Sequence, residues 1–184
     1  KTHVPKNTHF FSCHFRVDIF NYLSKLKDTF SILIDLDTLI LKKSKGIESI
    51  KNTNKGFVNE ITSNVIPAYG YDEILNKLKL LDKKINKVEW YGGDFFAGDS
   101  KFFGEFYKQT KKFQKLFVKN KKLLTNQTDE LFISCAIINL KKSNFCQIEN
   151  ISEYNIFTRY WSSKILHHQK NLKSFIKYDF LHVP

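Results

Sequence analysis

The feature that most constrains this chain is an apolar run that ends in two aspartates. Residues 30–43 read Phe-Ser-Ile-Leu-Ile-Asp-Leu-Asp-Thr-Leu-Ile-Leu-Lys-Lys, so residues 32–34 lead directly into Asp35 and Asp37. A short, β-branched apolar run predicts a buried strand of an α/β sheet. Two carboxylates at the end of that strand cannot lie in an apolar interior without a large desolvation cost. The pattern therefore predicts that they meet a cation, a hydrogen-bond network or solvent.

The end of a strand is also where ligands bind. In open α/β sheets, ligands lie beyond the carboxyl ends of the strands, which is where Asp35 and Asp37 are expected. A divalent cation that is held by their oxygens and shared with a substrate diphosphate would satisfy both carboxylates. The alternative is a strand that ends in a solvated Asx turn. The motif alone leaves both interpretations open.

Composition limits the class of protein. With 42% apolar and 26% charged residues, the 184 residues suit one globular domain over 1–184. No apolar stretch approaches the roughly 20 residues of a membrane-spanning helix. Cys13, Cys135 and Cys146 are widely spaced and odd in number, which favours reduced thiols and a cytoplasmic protein.

The formal net charge of +12 suggests an anionic partner. Of the 30 basic residues, however, only Arg16 and Arg159 are arginine. Arginine is the preferred residue for bidentate recognition of phosphates and bases, so no specific nucleic-acid partner is expected. The lysines are expected to form a solvated surface first. They also suit peripheral contact with an anionic membrane at its inner face.

Hydrophobic periodicity predicts helices on both sides of the aspartate strand, with Asp99 or Ser100 capping the third helix and Thr128 the fourth. These helices are predicted over residues 14–27, 71–83, 101–119 and 128–139. Strand-like segments are predicted over 57–69 and, in two pieces joined by a glycine turn, over 87–100. This alternation indicates a single α/β domain with a mostly parallel mixed sheet.

Gly92 and Gly93 form a second signal, because paired glycines let the backbone approach a ligand closely. The aromatic residues around them would form the apolar wall of a small-ligand pocket that suits a sugar, and Asp94 adds a carboxylate. An ordinary β-turn or bulge is the alternative.

Two weaker signals lie further along the chain. Asp129 and Glu130 begin a predicted helix, where acidic residues also complement the helix dipole. His167 follows an apolar pair and precedes Lys170 and Lys173. A histidine in this pattern can bind a divalent cation, and either lysine can neutralise phosphate. Adjacent surface histidines with lysines are the ordinary alternative.

The order of these motifs resembles nucleotide-sugar glycosyltransferases with the GT-A fold, in particular the bacterial glycogenin- and galactosyltransferase-like families that carry a DxD motif. The matches are hhhLDxDhhh at 32–40, hhGGxFxG at 90–100, an Asp-Glu helix start at 128–132, and a late histidine with a lysine six residues on. The resemblance spans roughly residues 14–175.

The resemblance implies a Mn²⁺ or Mg²⁺ site made by Asp35, Asp37 and His167, with Asp35 also placed to contact the ribose. It implies a nucleotide-sugar donor, such as a UDP-sugar, and a glycan or lipid-linked glycan acceptor in surface-polysaccharide or lipooligosaccharide assembly. The remaining roles that it implies are diphosphate binding by Lys173, sugar binding by Gly92, Gly93 and Asp94, and catalysis by Asp129 and Glu130.

The sequence departs from the family pattern in two places. Gln169-Lys-Asn-Leu-Lys-Ser-Phe stands where Gly-Pro and Lys-Pro-Trp are usual, which leaves His168 and His182 open as the metal ligand. Only 34 residues precede Asp35, so the nucleoside-binding βαβ unit that normally comes first is expected to be incomplete.

Two other classes of protein share part of the pattern. A haloacid-dehalogenase-type phosphatase also has a strand that ends in two aspartates, but it normally carries a glycine where Thr38 follows Asp37 here. A basic, non-enzymatic module that binds nucleic acid or a membrane surface would cluster its lysines with exposed aromatics, whereas these lysines are spread along the chain.

Overall fold

The computed structural model describes residues 4, 8, 11–124, 128–161 and 170–183. Within them, six α-helices and two β-sheets form an α/β fold. The helices are α1 (Arg16–Leu23), α2 (Gly46–Ile50), α3 (Thr62–Tyr69), α4 (Tyr71–Leu81), α5 (Ser100–Lys119) and α6 (Glu130–Ser143). The strands are β1 (Ser31–Ile34), β2 (Thr38–Ile40), β3 (Gly56–Glu60), β4 (Tyr91–Gly98), β5 (Ile148–Asn150), β6 (Phe157–Arg159) and β7 (Phe180–His182). Short 3₁₀ helices are η1 (Phe11–Phe15), η2 (Ile151–Tyr154) and η3 (Leu172–Phe175).

The two sheets differ in size and both are mixed. The larger has the strand order β1-β4-β3-β5, with β4 antiparallel to β1 and β3, and β5 parallel to β3. The smaller has the order β2-β7-β6, with β7 antiparallel to β2 and parallel to β6. The predicted α/β class and mixed sheet are confirmed.

The prediction of a mostly parallel sheet is wrong, since three of these five strand pairings are antiparallel. A single crossover helix between neighbouring strands would make them parallel. Here two successive helices, α3 and α4, connect β3 to β4. They return the chain to the end of the sheet that it left, where Glu60 pairs with Tyr91.

Strand β4 is the centre of the fold, because all eight of its residues are buried. On one side Phe96 packs against helices α1 and α5, with the ring centroids of Phe96 and Phe20 5.0 Å apart, edge to face. On the other side Phe95 meets Phe157 of the smaller sheet at 4.9 Å. The strand therefore lies between two apolar clusters.

Several elements match the sequence prediction closely. Strand β1 and helices α4 and α5 lie where the apolar pattern placed them. The carboxylate of Asp99 caps α5, accepting a hydrogen bond from the Phe102 N–H at 2.7 Å. Helix α6 begins at Glu130, and Asp129 is its N-cap residue instead of Thr128. The Thr128 hydroxyl still accepts a bond from the Glu130 N–H at 3.3 Å.

Two segments differ from the prediction. Residues 57–69 divide into strand β3 and helix α3, where the burial of Val65 in the core overrides the weak helix propensity of β-branched residues and of Pro67. Residues 91–98 form one continuous strand, not two strands around a glycine turn. Among the described glycines only Gly70 has a positive φ, so the Gly92-Gly93 backbone is extended.

No described helix combines the length and the apolar character that crossing a lipid bilayer requires.

We expect Asp99→Ala to lower the free energy of unfolding by about 1 kcal/mol, because the first turn of α5 loses its side-chain acceptor. Asp99→Asn is the matched control, since asparagine caps helices about as well as aspartate. Urea unfolding followed by circular dichroism measures both. Equal stability of the alanine variant and the wild type would contradict this account of the α5 start.

Candidate metal centre

Three side chains that commonly bind metals converge beyond the carboxyl end of β1. Asp35 and Asp37 follow that strand, and His182 ends β7. One ligand atom from each of the three lies within 4.8 Å of those from the other two. The backbone holds them in place, because the Asp35 N–H donates to the Asp94 carbonyl at 3.2 Å and the Val183 N–H to the Asp37 carbonyl at 3.0 Å. Two carboxylates and an imidazole suit a divalent cation.

His182 is buried between carboxylates, with 2% of its surface exposed. Its Nε2 lies 3.0 Å from Asp37 Oδ1 and 3.9 Å from Asp35 Oδ2, and its Nδ1 lies 3.0 Å from Asp94 Oδ2. Neither nitrogen makes a hydrogen bond of good geometry with a described residue. A metal-binding histidine usually has one ring nitrogen directed at a carboxylate and the other directed at the metal site. In His182, Nδ1 is directed at Asp94, and Nε2 is directed at Asp35 and Asp37.

Asp94 is the carboxylate behind His182. It is 1% exposed and accepts hydrogen bonds from the Asn59 amide at 3.1 and 3.2 Å. Burial raises the pKa of Asp94, but His182 and Arg159, whose Nη1 lies 3.8 Å away, outweigh it and hold that pKa below its usual value. Asp94 therefore stays ionised and can fix the orientation of the imidazole.

Arg16 connects Asp35 to the start of helix α6. Its Nη2 donates to Asp35 Oδ1 at 2.6 Å, and its Nη1 contacts Asp129 Oδ2. A Cβ on Gly93 would lie 2.4 Å from that Nη1, and one on Gly92 would lie 2.4 Å from Asp94 Oδ1. Because both glycines lack a Cβ, they leave space for these charged side chains. The prediction of a glycine turn at this position did not include such a role.

Two carboxyl groups in this network have raised pKa values. Burial raises the pKa of Asp129 to about 7; Arg16 opposes that shift, while Glu130 and Asp35 add to it. Burial also raises the pKa of Asp35, against the lowering effect of Arg16, and nearby Asp94 raises it further. A cation placed between the carboxylates would favour the ionised form of both groups.

Glu130 and Arg159 extend the network towards open space. Glu130 accepts hydrogen bonds from Arg159 Nη1 at 2.7 Å and Trp90 Nε1 at 3.0 Å. The Arg159 guanidinium also stacks 4.5 Å from the centroid of the Trp161 ring. Two cavities, of about 320 and 200 Å³, are both lined by Arg159 and Trp161. Aromatic faces beside polar groups suit a sugar.

The structure brings most of the predicted site residues together. Those in one connected group are Asp35, Asp37, Gly92, Gly93, Asp94, Asp129 and Glu130. Lys173 is exposed on η3, and none of the described contacts of this group involves it. His167 and His168 lie outside the described residues. Among the described residues, His182 is the histidine that lies beside the aspartates.

Arg16, Arg159 and Asn59 were not predicted as site residues. The arginines did carry a signal, because they are the only two among 30 basic residues. Where lysine serves almost every other need for a cation, an arginine marks a position that requires a planar, multiply bonded guanidinium. Asn59 lies in an ordinary strand pattern that gave no such signal.

No protein-family model matches the chain, and no curated protein sequence is significantly similar to it. The interpretation of the site therefore depends on its own geometry.

We expect Asp129→Asn to stabilise the protein relative to the wild type as pH rises. The native pKa is about 7 against an ordinary value of 3.8, so between about pH 4 and 7 the folded state binds a proton that the unfolded state releases. Wild-type stability falls across that window, and asparagine removes the effect. Urea unfolding at pH 4, 6 and 8 in EDTA measures the difference.

The variant Asp72→Asn, which makes the same substitution at an exposed position, is the control for this experiment. A stability difference for Asp129→Asn that stays constant, or that moves in favour of the wild type as pH rises, would show that the ion pair with Arg16 dominates.

Proposed function

We propose that this chain carries the catalytic site of a metal-dependent glycosyltransferase, which moves a sugar from a nucleotide-sugar donor to a glycan or lipid-linked glycan acceptor. The observation on which the proposal chiefly rests is the buried imidazole of His182, which faces Asp35 and Asp37 with Asp94 behind it. The order of the sequence motifs supplies the reaction class, and the geometry supplies a site that suits it.

The charges of the group support a divalent cation such as Mn²⁺ or Mg²⁺. Five carboxylates (Asp35, Asp37, Asp94, Asp129 and Glu130) meet two guanidinium groups, an excess of three negative charges when all five are ionised and His182 is neutral. Like charges at such short range are unfavourable. A divalent cation at Asp35, Asp37 and His182 would reduce the excess to one.

Such a metal, when bound, stabilises the charge that develops on a departing nucleoside diphosphate. The protein groups would divide the remaining work. Asp35, Asp37 and His182 hold the ion, and Asp94 orients the imidazole of His182. Arg159 and Trp161, which line both cavities, are placed to contact the sugar.

Glu130 is the better candidate for the catalytic base. It lines the smaller cavity beside Trp90 and Trp161, whereas Asp129 is 3% exposed. A base must lie within hydrogen-bond reach of the acceptor hydroxyl, and Glu130 is the member of the pair that borders open space.

The cellular compartment is part of the proposal. All three cysteines are unpaired, which supports a reducing compartment and hence the cytoplasm. The contacts of Asp35 do not distinguish the phosphatase alternative, because Arg16 binds its Oδ1 at 2.6 Å while its Oδ2 faces His182 at 3.9 Å.

We expect Asp37→Asn to abolish Mn²⁺-dependent binding of UDP, because the variant loses an anionic metal ligand. Calorimetric titration of UDP with and without Mn²⁺ measures this directly. Asp72→Asn, on the exposed start of α4, is the control and should bind as the wild type does. Unchanged UDP binding in the Asp37 variant would overturn the metal role.

We expect Glu130→Gln to slow sugar transfer, or hydrolysis of the donor by water, by about 100-fold or more, since general-base catalysis typically contributes that much. UDP and Mn²⁺ binding should change by less than about threefold. Equal loss of binding and rate would assign Glu130 a structural role instead. Hydrolysis of a simple phosphomonoester that is lost in Asp35→Asn would favour a phosphatase.

A further inference from the structure

An unusual share of the exposed apolar surface lies along one edge of the molecule. The described residues include sixteen large apolar side chains that are exposed, and seven of these lie within residues 36–41 and 172–183. We call them the apolar edge: Leu36, Leu39, Ile40, Leu41, Leu172, Ile176 and Val183. Contiguous exposed apolar surface of this kind marks an interaction site.

Backbone contacts join the two segments of the apolar edge. Strand β2 pairs with β7, and the Leu41 N–H donates to the Asp179 carbonyl at 2.8 Å. Lys42 Nζ donates to the Lys177 carbonyl at 2.6 Å. At the other end, the Val183 N–H donates to the Asp37 carbonyl at 3.0 Å, beside Leu36. These contacts place residues 37–42 beside residues 177–183 along one edge of the smaller sheet.

Strand β2 is one of the two outer strands of the smaller sheet, yet it lacks the usual protection of such strands. Outer strands normally carry charges or prolines that prevent pairing with other chains. Here Leu39 and Ile40 point to opposite faces of the strand, and both are exposed, Ile40 by 73%. Leu36, between the two metal-binding aspartates, is fully exposed.

Lysines outnumber carboxylates along the two segments of the apolar edge. Residues 36–45 and 170–183 contain six lysines (Lys42, Lys43, Lys45, Lys170, Lys173 and Lys177) against two aspartates. Of the aspartates, Asp37 belongs to the metal centre, and Asp179 is buried with Lys42 3.6 Å away. A second copy of this chain would bring like charges together at this edge, whereas an anionic surface would be attracted to it.

We propose that the apolar edge is a docking surface for an anionic lipid bilayer. Leu36, Leu39, Ile40 and Ile176 insert at the level of the lipid headgroups, and the surrounding lysines bind the negatively charged lipids. This surface accounts for the apolar side chains and lysines, without carboxylates, that share residues 39–45 and 170–177. It does not depend on the proposed activity, although it would place the Asp35–Asp37 centre at the membrane, where a lipid-linked acceptor lies.

Vesicle flotation tests the proposal with the whole chain. The wild type should bind vesicles that contain 30% phosphatidylglycerol, bind neutral phosphatidylcholine vesicles much more weakly, and dissociate as salt screens the lysines. Absence of binding to the anionic vesicles would overturn the proposal. Because the readout is binding alone, its failure is distinct from a failure of the proposed enzyme activity.

Two sets of variants separate the apolar contribution to vesicle binding from the electrostatic contribution. The double variant Leu39→Thr with Ile40→Thr keeps β-forming residues and should weaken partitioning by about tenfold or more. Replacing Lys43 and Lys45 with alanine should weaken partitioning to the vesicles by about fivefold for each lysine.

Controls of the same chemistry lie elsewhere on the surface. Leu123→Thr removes a leucine that is 67% exposed, and Lys83→Ala with Lys101→Ala removes two exposed lysines. An equal loss of binding in these controls would show non-specific adhesion and overturn the proposal. A wild-type dimer in light scattering that the Leu39–Ile40 double variant dissociates would assign the edge to a second copy instead.

Discussion

The rest of this structure depends on the burial of several carboxylates around one imidazole. Asp94 and Asp129 are almost completely buried, and Asp35 is partly buried, in a region that has only two guanidinium groups to balance them. Each partner comes from a distant part of the chain: Arg16 and Asp129 are 113 residues apart. Removing either arginine would leave buried charge unpaired, which is among the most destabilising changes in a protein.

Much of the fold could be predicted from the sequence, because periodicity and capping act locally. Strand β1, helix α5 with its Asp99 cap, and helix α4 required only their own residues. Helix α3 could not be predicted in this way, since the burial of Val65 comes from distant segments. The direction of β4 was also missed. It depends on two consecutive helices returning the chain to the same end of the sheet, and residues 57–69 gave no sign of the first of them.

The candidate site was predicted in part for a similar reason. The motif at Asp35 and Asp37 lies at the end of β1 where the candidate group forms, and Asp94 with the Asp129–Glu130 pair lies in the same group. Pairing of strand β7 with β2, which is distant in sequence, places His182 beside the aspartates. No local pattern in the sequence distinguishes His182 from His167. The role of Gly93 also depends on a partner distant in sequence, because the space it leaves is filled by Arg16. The rarity of arginine in this lysine-rich chain is a signal that the sequence analysis did not use, since both arginines lie in this group.

Pulsed electron paramagnetic resonance of bound Mn²⁺ tests the central claim most directly, because a coordinated imidazole gives a ¹⁴N modulation that ¹⁵N-histidine labelling removes. We expect one such nitrogen, lost in His182→Gln and retained in His167→Gln, with circular dichroism confirming that both variants fold. A modulation that survives in His182→Gln and disappears in His167→Gln would contradict the metal centre described above.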